Sequence, residues 1–234
     1  MTDQASAIGT LNESDLHRDL KHLYGQELSR AGHCVDYEVP CEGYLIDLVA
    51  NGRLIEFQTG SFAQLKTKLR RLVKAHSVTL VVPVAEETRL IGYRGDKETR
   101  RRSPLRGSPH DVLDALVSFP DLLALPQFSL ELVMTVEETE RYWNPRLRRR
   151  RGGWQVMARR LVETRDRLRF CGAESLWQLC SAVPADDFDT QTLATAMNAP
   201  RSTGQKLAYC LRALDAIELV GKRGNAMRYR VRRS

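Results

Sequence analysis

The sequence predicts an α/β protein, a sheet flanked by helices and followed by a smaller helical segment that ends in a β-hairpin. Three observations carry this. Two short apolar runs, residues 44–49 and 54–58, flank Asn51-Gly52. That dipeptide favours a two-residue hairpin turn because both central residues need positive φ. Downstream, an amphipathic run over residues 62–75 leads into the near-continuous apolar stretch 77–84, so strand, helix and buried strand read as a βαβ crossover. From residue 175 on the pattern changes to three short helical periods and a closing hairpin.

Taken in order, residues 12–31 form a first helix, with Leu16, Leu20, Leu23, Tyr24 and Leu28 at helical spacing, Asn12 or Ser14 as N-cap and Gly32 as the stop. Residues 33–39 make a strand that Pro40 interrupts before the hairpin. With Asn51 and Gly52 as loop, Ala50 pairs with Arg53, Val49 with Leu54, Leu48 with Ile55 and Asp47 with Glu56. Ile46, Leu48, Ile55 and Phe57 then share an apolar face. Ser61 is the candidate cap of the next helix, whose stripe of Phe62, Leu65, Leu69, Leu72 and Val73 leaves Lys66, Lys68, Arg70, Arg71 and Lys74 on the remaining surface.

Residues 90–93 read as a short strand, 94–109 as a basic exposed loop, 110–116 as a short helix and 128–135 as a strand completing a first domain, 1–145. The basic stretch 146–153 reads as a linker, and 154–169 as a helix bridging to the last elements of a second domain, 154–234. There, helices are expected at 175–183, 190–197 and 202–216, with hairpin strands at 217–220 and 227–231.

Composition narrows the function classes. No apolar run is long enough to span a bilayer, and the start MTDQASAIGT lacks the basic and apolar regions of a signal peptide, which points to a cytoplasmic protein. Five cysteines without a CxxC pair are expected to be reduced, mostly buried thiols. A net charge of +7 favours a polyanionic partner, an argument about attraction rather than a particular activity.

The chemistry centres on the hairpin. Facing carboxylates at Asp47 and Glu56 destabilise a sheet, and burying one needs compensation. A divalent cation with oxygen ligands supplies it; the alternatives are a Lys or Arg from elsewhere, or a longer turn that swaps the faces. Gln58 lies on the Glu56 side. Glu13, on the stripe of Leu16 and Leu20, is a third acidic candidate, or simply favours the positive end of the helix dipole. His17 and His22 read as ordinary helix-face residues. In the basic linker, Arg148 and Arg149 contact phosphate or merely solvate a flexible spacer. In the last domain Leu207, Leu211 and Leu214 face inward. Thr203, Lys206 and Tyr209 face outward, with a tip of Ser202, Thr203 and Gln205 suited to base edges, while Lys222, Arg223 and Arg228 suit phosphate.

On these residues, 12–84 resemble the catalytic core of the PD-(D/E)XK nuclease superfamily, and 175–231 resemble a winged helix domain. The first resemblance implies a restriction-endonuclease-like mixed sheet flanked by helices. Asp47 matches the family's strand Asp, Glu56 the acid of its acid-x-Lys tripeptide, and Glu13 the acidic position on the first helix; Gln58 replaces the lysine. The implied function is a metal-dependent DNA endonuclease hydrolysing phosphodiester bonds. Mg²⁺ (or Mn²⁺) is then held by Asp47, Glu56 and the Phe57 carbonyl, Gln58 or Lys66 orients the attacking water, and Lys68 and Arg70 neutralise flanking phosphates. The winged helix delivers the nuclease domain to double-stranded DNA, and a duplex cutter with one site per chain suggests a homodimer. The alternative is a catalytically inactive nuclease-fold DNA-binding regulator, since a glutamine cannot act as the missing cation.

Overall fold

The computed structural model describes residues 14–60, 62, 65–148 and 152–232. The expected site residues Glu13 and Arg149, and the expected helix cap Ser61, lie outside them. The elements are α1 (Asp15–Arg30), β1 (Val35–Cys41), β2 (Tyr44–Ala50), β3 (Arg53–Phe57), α2 (Leu65–Leu72), β4 (Val78–Arg94), β5 (Lys97–Arg102), α3 (Val112–Leu116), β6 (Phe128–Trp143), β7 (Trp154–Phe170), α4 (Thr190–Ala196), α5 (Arg201–Ala213), β8 (Ile217–Arg223) and β9 (Ala226–Val231). The fold is mixed α/β: a seven-stranded sheet in the order β1-β2-β3-β4-β6-β7, with β5 paired to β4, and a separate two-stranded β8-β9 sheet.

Two compact units draw on interleaved stretches of chain. The first takes residues up to Gly60 together with Pro83–Ser108 and Val133–Arg167; the second takes Ser61–Val82, Pro109–Leu132 and the chain from Leu168 on. Strands β4, β6 and β7 are long enough to contribute residues to both.

In the first unit, Ser14 caps α1 by accepting from the His17 N–H at 3.3 Å, and Gly32, at φ 84°, follows its C-cap. Leu16, Leu20 and Tyr24 are buried, and α1 packs on β1, β2 and β3. The hairpin has the expected register, with Leu48 opposite Ile55, Val49 opposite Leu54 and Ala50 opposite Arg53. Asn51 and Gly52 sit at φ 48° and 77°, as a two-residue turn with both central residues left-handed requires. Ile46, Leu48, Ile55 and Phe57 are all buried.

Several stretches take a form other than the one the sequence suggests. Pro40 does not end β1 but pairs with Leu45 inside it; β1 is an edge strand, where a missing N–H costs no ladder bond. Residues 77–84 and 90–93 fuse into one strand, β4, and the basic segment after it forms a strand, β5, with Arg89 opposite Arg102 and Arg94 opposite Lys97. Residues 154–169 are a strand rather than a helix. Their Met, Ala, Leu, Glu and Arg content favours a helix, but pairing with β6 and the ion pairs Arg159–Glu137 and Arg160–Glu140 form only in the extended chain, and context overrides propensity. The basic stretch 146–153 lies between β6 and β7. Gly152 and Gly153, at φ 57° and 84°, turn the chain there, and the Gly153 carbonyl accepts from the Asn144 N–H at 2.7 Å.

In the second unit, the three C-terminal helical segments and the hairpin follow in the expected order, the first of them a 3-10 helix over Glu174–Leu179. Asp189 caps α4 by accepting from the Gln191 and Thr192 N–H groups, both at 2.9 Å, and Thr192 Oγ1 reaches back to the Asp189 N–H. Leu207, Ala208, Cys210 and Leu211 form the buried face of α5. Reciprocal backbone bonds between Phe188 and Tyr229, 2.9 and 2.7 Å, tie the chain before α4 to β9.

Candidate functional site

The hairpin register places Asp47 next in line after the Leu48–Ile55 pair, opposite Glu56. On the other side, the pairs Tyr37–Leu48 and Val39–Ile46 bracket Glu38 and Asp47. Three carboxylates, Glu38, Asp47 and Glu56, therefore follow one line across β1, β2 and β3. Glu56 is 4% exposed. The Phe57 N–H donates to Asp47 Oδ2 at 2.8 Å, and His17 Nε2 lies 3.0 Å from the same oxygen. The His17 ring meets Phe57 edge-on, with centroids 6.0 Å apart, and Tyr24 meets Phe57 from another side at 5.2 Å. One turn further along α1, the ammonium of Lys21, which is buried, pairs with Glu38. Glu38 holds a left-handed backbone, φ 52°, a conformation that a non-glycine residue keeps only where its surroundings fix it.

His17, Lys21 and Glu38 are members of this arrangement that the sequence reading passed over. A signal existed on the helix: His17 and Lys21 are spaced four apart and share one face. Glu38 carried none, since the line of acids appears only once β1 is in register with β2.

Gln58 follows β3 and is half-buried. Lys66, Lys68 and Arg70 lie on α2 in the second unit, where Lys66 is exposed, Lys68 is half-buried and Arg70 binds both Asp121 oxygens, at 2.9 and 2.7 Å. Arg148 is exposed in the β6–β7 connection of the first unit. On α5, Ser202, Gln205 and Tyr209 are exposed and Thr203 is half-buried, while the Lys206 ammonium is paired with Asp114 of α3. Lys222 and Arg223 are exposed at the tip of the β8–β9 hairpin. Arg228 instead turns back, donating to the Asp187 carbonyl and lying 3.8 Å from Asp189.

Among the described residues, no group of three or more His, Cys, Asp and Glu side chains has the spacing of a metal cluster. Mg²⁺ asks for less: one or two carboxylates, with water and phosphate oxygens completing the shell. The oxygen donors of Asp47 and Glu56 fit that ion's chemistry. The cysteines are all free thiols, but only Cys210 is buried; Cys34 and Cys171 are exposed. Burial pushes the Cys180 thiol up to about 11 and Cys210 up to about 12, so neither supplies a thiolate near neutral pH. Among the described residues, no helix is long and apolar enough to cross a membrane.

Comparison with known proteins adds relatives but no activity. A protein of Treponema pallidum (strain Nichols), described only as an uncharacterized protein, is 30% identical over 230 residues, covering 95% of this chain and 87% of its own length. No solved structure matches the chain. A family model described as a domain of unknown function, DUF8091, matches residues 14–171, which include α1, the acidic line and the whole of β7. On that match, the chain belongs to the DUF8091 family.

Proposed function

We propose that this protein is a metal-dependent phosphodiesterase acting on DNA, with its hydrolytic centre on the β2–β3 hairpin. The observation that carries the reading is the placement of Asp47 opposite buried Glu56, with the Asp47 carboxylate held from two sides by the Phe57 N–H and His17. A pair of acids on adjacent strands is what an oxygen-loving divalent cation requires. Asp47 and Glu56 would hold Mg²⁺ or Mn²⁺, which supplies Lewis-acid polarisation of the phosphate and a more acidic water. The chain's own residues do the positioning. The Phe57 N–H and His17 fix the orientation of Asp47, and Gln58 orients water through its amide. The resemblance of the sequence to PD-(D/E)XK nucleases supports this reading, and its resemblance to a winged helix domain suggests how DNA is engaged. There the exposed Ser202, Gln205 and Tyr209 would face base edges, and Lys222 and Arg223 would take phosphate.

A specific observation favours a second reading, a DNA-binding regulator without activity: Asp47 Oδ2 already has two partners, and Gln58 stands where a cation is expected. Incubation of plasmid and linear DNA with the purified protein and Mn²⁺ separates the two. The hydrolytic reading expects cleavage that Asp47→Asn and Glu56→Gln abolish while DNA binding persists. It expects His17→Gln to lower the rate by about 10- to 100-fold, as outer partners of metal ligands do. DNA binding without cleavage under any divalent metal would leave the regulator.

A further inference from the structure

In the first unit, the end of the sheet formed by β4, β5, β6 and β7 carries tryptophans and guanidinium groups that the hydrolytic centre does not use. The β4–β5 register sets Leu90 opposite Arg101, Gly92 opposite Thr99 and Arg94 opposite Lys97. Side chains alternate along strands, so these six share a face. The Trp154 ring seats over Gly92, where an added Cβ would come within 2.9 Å of it, and Trp143 takes the equivalent space over Gly153. The two indoles meet edge to face, with centroids 5.5 Å apart. The Arg94 guanidinium lies 4.5 Å above Trp143, and that of Arg141 lies 4.4 Å above Trp154.

The acids of this region are engaged with other residues, buried Glu137 with Arg159 among them. Glu98 pairs with Arg100, Glu138 also acts on Arg100, and Glu140 acts on Tyr93 and pairs with Arg160. Among the described residues, none of Arg94, Lys97, Arg101 and Arg141 forms an ion pair. Arg141 is held below the ordinary guanidinium range, first by burial and then by the charge of Arg101, and its Nε is buried without a hydrogen-bond partner. A carboxylate would have cancelled such charges. An indole instead fixes a guanidinium by cation–π attraction and leaves its charge and planar fork of donors to an outside anion. Phosphate matches that fork in two-point geometry.

We infer that this face binds the phosphodiester backbone of DNA, with Arg94, Lys97, Arg101 and Arg141 on phosphates and Trp143 and Trp154 holding the arginines. Contacts of this kind set position rather than read sequence. The inference shares with the proposed function only the partner, DNA, and does not depend on hydrolysis.

Anisotropy of a fluorescein-labelled DNA duplex, titrated with the full chain over a series of salt concentrations, tests it. Arg101 is exposed and makes no ion pair, so Arg101→Gln should leave the fold intact. It should lower the slope of log affinity against log salt by about 0.9, and Arg94→Gln combined with Arg141→Gln by about 1.8. Near-ultraviolet circular dichroism of the tryptophans checks folding. If folded Arg101→Gln and the double variant both keep the wild-type affinity and slope, the inference is wrong. Wild-type protein that cuts DNA while the face variants bind normally would overturn the inference and keep the hydrolytic reading. Protein that never cuts, yet loses salt slope in the face variants, would do the reverse.

Discussion

At Asp189 one side chain decides where a helix starts. Its Oδ1 accepts the N–H groups of Gln191 and Thr192, two of the donors that the first turn of α4 leaves unpaired. Hydrogen bonding, foremost from the Thr192 N–H, holds its carboxyl below the ordinary carboxylate value. A carboxylate with a lowered folded value contributes stability that is present above its unfolded value and is lost as pH falls through the folded one. Asp189→Ala should therefore cost about 1 kcal/mol near neutral pH, and that gap should close on acidification. Urea unfolding of both proteins across acid pH measures it; a gap independent of pH would mean that the charge is not what caps the helix. Residue-scale chemistry of this sort was legible beforehand only where the partner is local. Ser14 as cap of α1 is a contact within one turn, whereas the Asp47–His17 contact spans 30 positions and needed the sheet to exist first.

At the scale of elements, the α4–α5 pair rests on a close approach at Gly204. A Cβ added there would collide with the Thr190 carbonyl and lie 2.8 Å from the Ala194 N, backbone atoms that cannot move aside without disturbing α4. Gly204→Ala should destabilise the second unit by about 1–3 kcal/mol through overpacking, although alanine is the better helix former. Thermal denaturation would show it, and an unchanged or raised Tm would mean that the two helices are not packed this closely. The hairpin of β2 and β3 was readable to the residue because its turn, its alternation and its apolar face all agree over a short span. The strand β7 was not, because its residues satisfy helical and extended patterns alike and only the neighbouring β6, with Glu137 and Glu140, favours the second. Strand β5 was hidden for a related reason: three consecutive arginines, Arg100, Arg101 and Arg102, look like a solvated loop until β4 supplies the ladder.

At the scale of the whole molecule, the compact units are not contiguous in sequence, and the second unit joins three separate stretches of chain. Within it α5 packs on α3 and on the 3-10 turn Pro120–Ala124, and Leu113 and Leu116 of α3 are fully buried. Truncation after Cys171, where the family match ends, would remove α5. It should cost on the order of 2 kcal/mol for each of these leucines that loses its cover. The truncated chain should bind a hydrophobic dye and melt at lower temperature; melting as sharply and as high as the full chain, without dye binding, would count against this packing. The sequence by itself determined the α/β class, the hairpin register that sets Asp47 opposite Glu56, and the order of the C-terminal elements, because each follows from periodicity, turn chemistry and capping between near neighbours. Only the tertiary structure decided that β7 is a strand, that Glu38, His17 and Lys21 join the acidic line, and that two tryptophans hold arginines on one face of the sheet. Those outcomes depend on contacts between distant stretches, and no local pattern encodes which of them the sheet brings together.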